Sequence, residues 1–301
     1  MADKKACESC SSSSCSSRPQ GLQETDEQYQ KRLRMADRMA NVKHKVLVLS
    51  GKGGVGKSTV AANLAMFLAL NGRRVGLLDV DIHGPSIPRI FGVNGKSTFM
   101  VGESMMPVEF SENLKIMSIA FCLSDNDAAL IWRGPMKIGV IQQFLADVEW
   151  GELDYLIVDC PPGTGDEPLS AAQMLNDADG AVIVTTPQDI SVDDVRKSVS
   201  FCRKLELPVL GVVENMSGFA CPCCNTVTDI FGSGGGQAMA ENMGVPFLGK
   251  IPIDMAVREA CDQGKPHAYY NSETPSGKAM SEAFGPLLDL PEAADCDGPE
   301  E

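Results

Sequence analysis

The chain has 301 residues, 44% of them hydrophobic and 22% charged, with a formal charge of −14. That composition suits one large soluble domain, and the acidic balance argues against unaided binding to nucleic acid or an anionic membrane. No run of about 18 uncharged apolar residues is present and MADKKACESC lacks an apolar leader, so a cytoplasmic protein with protein and small-ligand partners is expected.

In chain order, residues 1–20, with CESCSSSSCSSRP, are Ser-rich and short of large apolar groups, and read as a flexible arm. Residues 21–41 are polar with good helix formers and predict an exposed helix, so 1–42 form an arm and leading helix ahead of a body over 43–290. In that body KVLVLS, RRVGLLDVD, DYLIVDC, GAVIVTT, LPVLGVVEN and PFLGKIP are short apolar runs alternating with helical patterns such as KSTVAANLAMFLALNG. Strands apolar on both faces with helical crossovers predict a doubly wound, mostly parallel α/β sheet. MSGFACPCCNTVTDIFGSGGG breaks the rhythm and predicts an irregular surface excursion, carrying a cysteine loop at 216–229. Residues 291–301, PEAADCDGPEE, read as a solvated acidic tail.

GKGGVGKST, residues 51–59, directly follows the first strand and precedes a helix, satisfying G-x-x-x-x-G-K-[ST]. Gly51, Gly53, Gly54 and Gly56 allow backbone N–H groups, Val55 included, to turn around phosphates; Lys57 supplies a cation, and Ser58, followed by Thr59, offers a hydroxyl to Mg²⁺. Lys52 is a second lysine in the loop, either a solvated charge or a cation reaching phosphates across a dimer interface. Asp81 and Asp159 end apolar runs, where ligands of open α/β sheets gather. Asp159 is the candidate for the Mg²⁺ shell and Asp81 for orienting an attacking water, with Asp79 in support. Asn215, at the end of LPVLGVVEN, is either a turn residue or a reader of adenine. His83 beside Asp81 reads as a loop-stabilising residue, and Met35, Met39, Met239 and Met243 as packing. The loop resembles the deviant Walker A form of the MinD, ArsA and nitrogenase iron protein class. The resemblance implies an ATP-dependent dimer in which Lys52 serves the partner's nucleotide and Asn215 contacts the purine.

Eleven cysteines in a chain of this type suggest metal or redox chemistry. Cys122, Cys160, Cys202, Cys261 and Cys296 stand alone and read as inert thiols. Cys221 and Cys224 form a C-x-x-C in GFACPCCNT, with three readings: incidental thiols, a redox dithiol or metal ligands. The loop has no core pattern and opens no helix, which favours ligands. Two thiolates are half of a four-ligand Zn²⁺ or [4Fe–4S] site, and a two-fold dimer would complete it.

GKGGVGKST, LLDVDIHGPSIPRIFG, WRGPMK, DYLIVDCPPGTGD, ENMSGFACPCC and GKIPID together resemble the Mrp-type (ApbC and Nbp-like) P-loop ATPases over residues 43–270. The resemblance implies a slow ATPase that carries a labile [4Fe–4S] cluster between the Cys221 and Cys224 pairs of two subunits and passes it to apo iron–sulfur proteins, with other cluster-assembly proteins as further partners. Cys223 departs from the motif as a third thiol. Longer relatives carry a four-cysteine arm; here Cys7, Cys10 and Cys15 provide three, and a second site would draw a fourth ligand from Cys296, the partner or a non-protein group. Trp132 and Arg133 match a family segment to which no chemistry attaches. Two alternatives remain: an electron-transfer reductase resembling the nitrogenase iron protein, and a positioning ATPase with structural zinc.

Overall fold

The computed structural model describes residues 25–122, 134–175, 177–221, 223–224 and 226–291. Cys7, Cys10, Cys15, Trp132, Arg133, Pro222, Cys296 and the acidic tail beyond 291 lie outside them.

The chain opens with α1 (Asp26–Ala40), β1 (Val42–Ser50), α2 (Lys57–Leu70), β2 (Val75–Asp79) and the single turn α3 (Ile87–Ile90). A small antiparallel pair, β3 (Met100–Val101) and β4 (Ser104–Met105), precedes β5 (Val108–Ser111) and β6 (Leu114–Ser118). Then come α4 (Gly134–Asp147), β7 (Leu153–Asp159), α5 (Asp166–Met174), β8 (Gly180–Thr185) and α6 (Asp189–Lys204). The last third holds β9 (Val209–Ala220), β10 (Val227–Thr228), α7 (Gly235–Met243), β11 (Phe247–Ile253), α8 (Met255–Asp262), α9 (His267–Tyr270) and α10 (Pro275–Phe284).

Nine strands form one sheet in the order β10-β9-β8-β1-β7-β2-β6-β5, with β11 also pairing β9. All pairings are parallel except β5 on β6 and β10 on β9. The Val/Ile/Leu runs explain this: Leu47, Val48, Leu77, Leu78, Ile157, Val158, Ile183 and Val184 are buried, as strands covered by helices on both faces require. Because β1, β2, β7 and β9 run the same way, Ser50, Asp79 and Asp159 at the carboxyl ends of the first three come to the same end of the sheet as Asn215, which lies within the longer β9.

Two expectations are refined. The leading helix is mostly exposed, as expected, but is anchored: Met39 is buried, Arg34 pairs with Asp147 at 3.4 Å, and Arg38 pairs with Glu149 and bonds Ser104 Oγ at 2.7 Å. Thr25 starts it with a capping box, each of Thr25 and Gln28 bonding the other's backbone N–H, a feature that contributes about 1 kcal/mol. The second change is in the cysteine segment, which is an ordered hairpin instead of an irregular excursion. Strand β9 continues to Ala220, and β10 folds back on it with Phe219 opposite Thr228 and Ala220 opposite Val227. Met35, Met39, Met239 and Met243 pack on the core. Among the described residues, no helix is long and apolar enough to cross a membrane.

Candidate nucleotide and cysteine sites

The turn after β1 is shaped by close approaches that only glycine allows. A Cβ on Gly51 would lie 2.5 Å from the Asp194 backbone of α6, and one on Gly56, where φ is +80°, 2.2 Å from Asn215 Nδ2. The loop ends at Lys57, the first residue of α2, so the helix amino terminus opens toward the turn. Lys52, Lys57, Ser58, Thr59 and Asp81 line a cleft of about 350 Å³.

Lys57 is 6% exposed, and its Nζ donates to Asp159 Oδ1 at 2.5 Å and to Ser58 Oγ at 3.3 Å. Burial pulls the ammonium downward, but the charge and hydrogen bond of Asp159 outweigh it, so Lys57 stays above the ordinary lysine value and remains charged. Asp159 is fully buried, and its Oδ2 has no hydrogen-bond partner among the described residues. Asp79 stands beside it in register; its Oδ1 accepts from the Asp81 N–H and its Oδ2 from Ser118 Oγ, both at 3.1 Å. Burial first, then the neighbouring Asp159 charge, push the Asp79 carboxyl well above the usual range. Asp81 is half-buried at the cleft and also raised by burial, against the pull of Lys57. His83 is exposed in the same loop.

The loop after β7 is tied to the phosphate turn. Cys160 N–H donates to the Val48 carbonyl at 3.2 Å, and Gly163 N–H, at φ +90°, to the Ser50 carbonyl at 2.8 Å. Asn215 is buried and donates through Nδ2 to the Val55 carbonyl at 2.9 Å. The structure thus brings Asn215 against the phosphate loop without placing it in the cleft lining. The sequence reading did not single out Cys261 and Asp262 of α8, or Arg89, as walls of that cleft.

Strand β9 links this cleft to the cysteines. Beyond Asn215, Met216 takes φ +57°, and Gly218 takes φ +79° where a Cβ would meet Val227 Cγ1 at 2.5 Å. Cys221 N–H donates to the Thr226 carbonyl at 3.0 Å and closes the hairpin tip, where Cys223 and Cys224 are exposed and Cys221 is half-buried. Cys224 Sγ lies 3.2 Å from Thr226 Oγ1. Hydrogen bonding from the Thr226 hydroxyl, its backbone and Cys221 holds the Cys224 thiol below the ordinary value. Among the described residues, no three His, Cys, Asp or Glu side chains converge on a common metal position within one chain.

Glu214, one residue before Asn215, is fully buried and was not anticipated. Its carboxylate accepts from Ser217 Oγ at 2.5 Å, Gly234 N–H at 2.8 Å and Gly236 N–H at 2.5 Å. An acidic residue within VVENMS was the available signal, since a buried carboxylate in an apolar strand demands such partners.

A family model described as ParA, NUBPL iron-transfer P-loop NTPase, matches residues 41–287. An iron-sulfur cluster carrier protein of Methanocaldococcus jannaschii is 52% identical over 233 residues, covering 77% of this chain and 80% of its own. One of Methanococcus maripaludis is 49% identical over 260 residues, covering 86% and 88%. Among solved structures, a nucleotide-binding protein of Archaeoglobus fulgidus in complex with ADP aligns at TM-score 0.73 and 37% identity over 87% of this chain and 98% of that one. The cell division ATPase MinD of Pyrococcus furiosus aligns at TM-score 0.59 and 24% identity, over 81% and 98%, and shares the fold.

Proposed function

The chain belongs to the ParA-type family of NUBPL iron-transfer P-loop NTPases, and from that premise we propose that ATP turnover at residues 51–59 controls a [4Fe–4S] cluster carried by Cys221 and Cys224 of two subunits. The protein is an ATPase and an iron–sulfur cluster carrier; the bridged cluster, its transfer to apo iron–sulfur proteins and the coupling of both to hydrolysis are the proposal. The observation that carries it is β9, one strand that contacts the phosphate loop through Asn215 and ends at the cysteine hairpin.

ATP enters the cleft beside Lys52, Lys57, Ser58 and Thr59. Lys57 exchanges its carboxylate partner for phosphate oxygens, leaving Asp159 a carboxylate with both oxygens to offer. Ser58 and the unpartnered Asp159 Oδ2 fit a Mg²⁺ shell, whose contribution would be to neutralise phosphate charge. Asp81, held through its backbone N–H by the Asp79 carboxyl group, orients the attacking water, and Asn215 presents its carboxamide to the purine. Lys52 crosses to the second subunit's phosphates. The cargo site is then shared. Each hairpin offers the half-buried Cys221 and the exposed Cys224, and a second copy on a two-fold axis makes the four thiols that a [4Fe–4S] cluster takes. Cytoplasmic location, slow turnover in the absence of a client, and partners drawn from apo iron–sulfur and cluster-assembly proteins belong to the same reading.

Anaerobic reconstitution tests it, with iron and sulfide counted per dimer. Wild type should hold four of each at the hairpin site, Cys224→Ala none there, and deletion of residues 1–20 should remove only what Cys7, Cys10 and Cys15 bind. Unchanged iron in Cys224→Ala would refute the bridged site.

A further inference from the structure

The segment WRGPMK takes no part in the chemistry above, yet its last residue reaches α5, the helix that follows the loop after β7. Lys137 lies in the first turn of α4, and its Nζ donates to Glu167 Oε1 at 2.7 Å. The two side chains are only 12% and 22% exposed, so this pair is shielded in a way that surface pairs are not. Glu167 is in the first turn of α5, directly after the loop that carries Asp159 at its root and Pro162 in the cleft wall.

That loop is held at its start by the bonds of Cys160 and Gly163 to β1, but Gly165 gives α5 no side-chain cap. Its far end is therefore fixed by whatever grips the first turn of α5, and Lys137 does so. The grip comes from a braced element. Lys31 Nζ donates to the Gly139 carbonyl at 3.5 Å, and Arg34 and Arg38 pair with Asp147 and Glu149, pinning α1 along α4. Glu167 thus stands where α5, at the end of the loop after β7, meets α4.

We propose that Lys137 is a positioning residue for ATP turnover: by holding Glu167 it sets the start of α5, and with it the loop from Cys160 to Gly165, against the phosphates. The assignment rests on the reading of residues 51–59 as the ATP site. Lys137→Ala should leave the fold intact, because Glu167 keeps its place at a helix amino terminus, where a carboxylate is favoured without a cation.

The test measures kcat and KM for ATP, nucleotide Kd and Tm for wild type, Lys137→Ala, Lys137→Arg, Glu167→Gln and the Lys137→Ala/Glu167→Gln double variant, with Lys57→Ala as reference. The expected result is a loss of about tenfold in kcat for each neutral single variant, with KM and Kd within about twofold. The double variant should be no worse than either single, and Lys137→Arg should keep most of the wild-type kcat. Single variants with kcat within twofold of wild type, additive losses, or a fall in kcat matched by equal losses in Kd and Tm would overturn the assignment. Wild type no faster than Lys57→Ala would instead remove the ATP-site reading on which it stands.

Discussion

The phosphate loop and the cysteine hairpin both follow strands of one sheet, yet they meet solvent in opposite ways. Around the phosphate loop the functional groups are buried and already paired: Lys57 against Asp159, Asp79 against Ser118 and the Asp81 amide, Asn215 against Val55. At the hairpin Cys223 and Cys224 are exposed, and Val227, Ile230 and Phe231 beside them are 52%, 56% and 44% exposed. A single chain thus supplies the phosphate site with its counter-charges, whereas the cysteine site offers thiols and apolar surface to something outside the chain.

The strongest way to break this contrast is Lys57→Ala. ATP turnover should fall about 10³-fold, since the cation nearest the phosphates is lost. Cluster transfer measured in the same protein should slow with it; equal transfer in variant and wild type would disconnect the two regions. Alkylation sharpens the contrast next. Cys224 sits below the ordinary thiol value, so more of it is thiolate at pH 7.5, while burial pushes Cys202 up to about 11 and Cys160 higher still. Mass spectrometry of briefly iodoacetamide-treated apoprotein should find Cys224 modified about 100-fold faster than either buried thiol. Comparable rates would mean that the core opens as readily as the hairpin.

Glu214→Ala probes the junction between the regions. It strips acceptors from Gly234, Gly236 and Ser217 at once, and should lower unfolding free energy by about 3 kcal/mol in chemical denaturation, with weakened iron loading. Loss of stability with full iron loading would show that the hairpin holds its shape without that anchor. The smallest effect belongs to Cys223→Ser. Its side chain is exposed, so stability should change by less than about 0.5 kcal/mol, and iron per dimer should match wild type. A fall in iron would make it a ligand.

What could be read in the sequence follows the range of the interactions involved. GKGGVGKST is legible because its glycines and lysine act within one turn, and the apolar runs are legible because parallel strands are buried on both faces. The hairpin was not. Met216 and Gly218 at positive φ break the alternation that marks a strand, and only pairing with β10 keeps the chain extended. The short strand β3 escaped for a similar reason: Met100 and Val101 are exposed, so no buried face imposes a pattern. The Lys137–Glu167 pair joins residues 30 apart in sequence through two helices, and nothing local to either announces the other.

Strand β9 also acts as a ruler. Cys221 lies six steps along the chain from Asn215, and at about 3.3 Å per step the two are at most ~20 Å apart. Met216 and Gly218, at φ +57° and +79°, interrupt the alternation of faces along the way, and β10 takes hold of the strand only beyond them, at Phe219 and Ala220. The aim of the thiols is therefore set by two backbone twists and one short pairing as much as by length, so an inserted residue would change both the reach of the arm and its direction, and Gly218, where a Cβ would meet Val227, is closed to substitution as well.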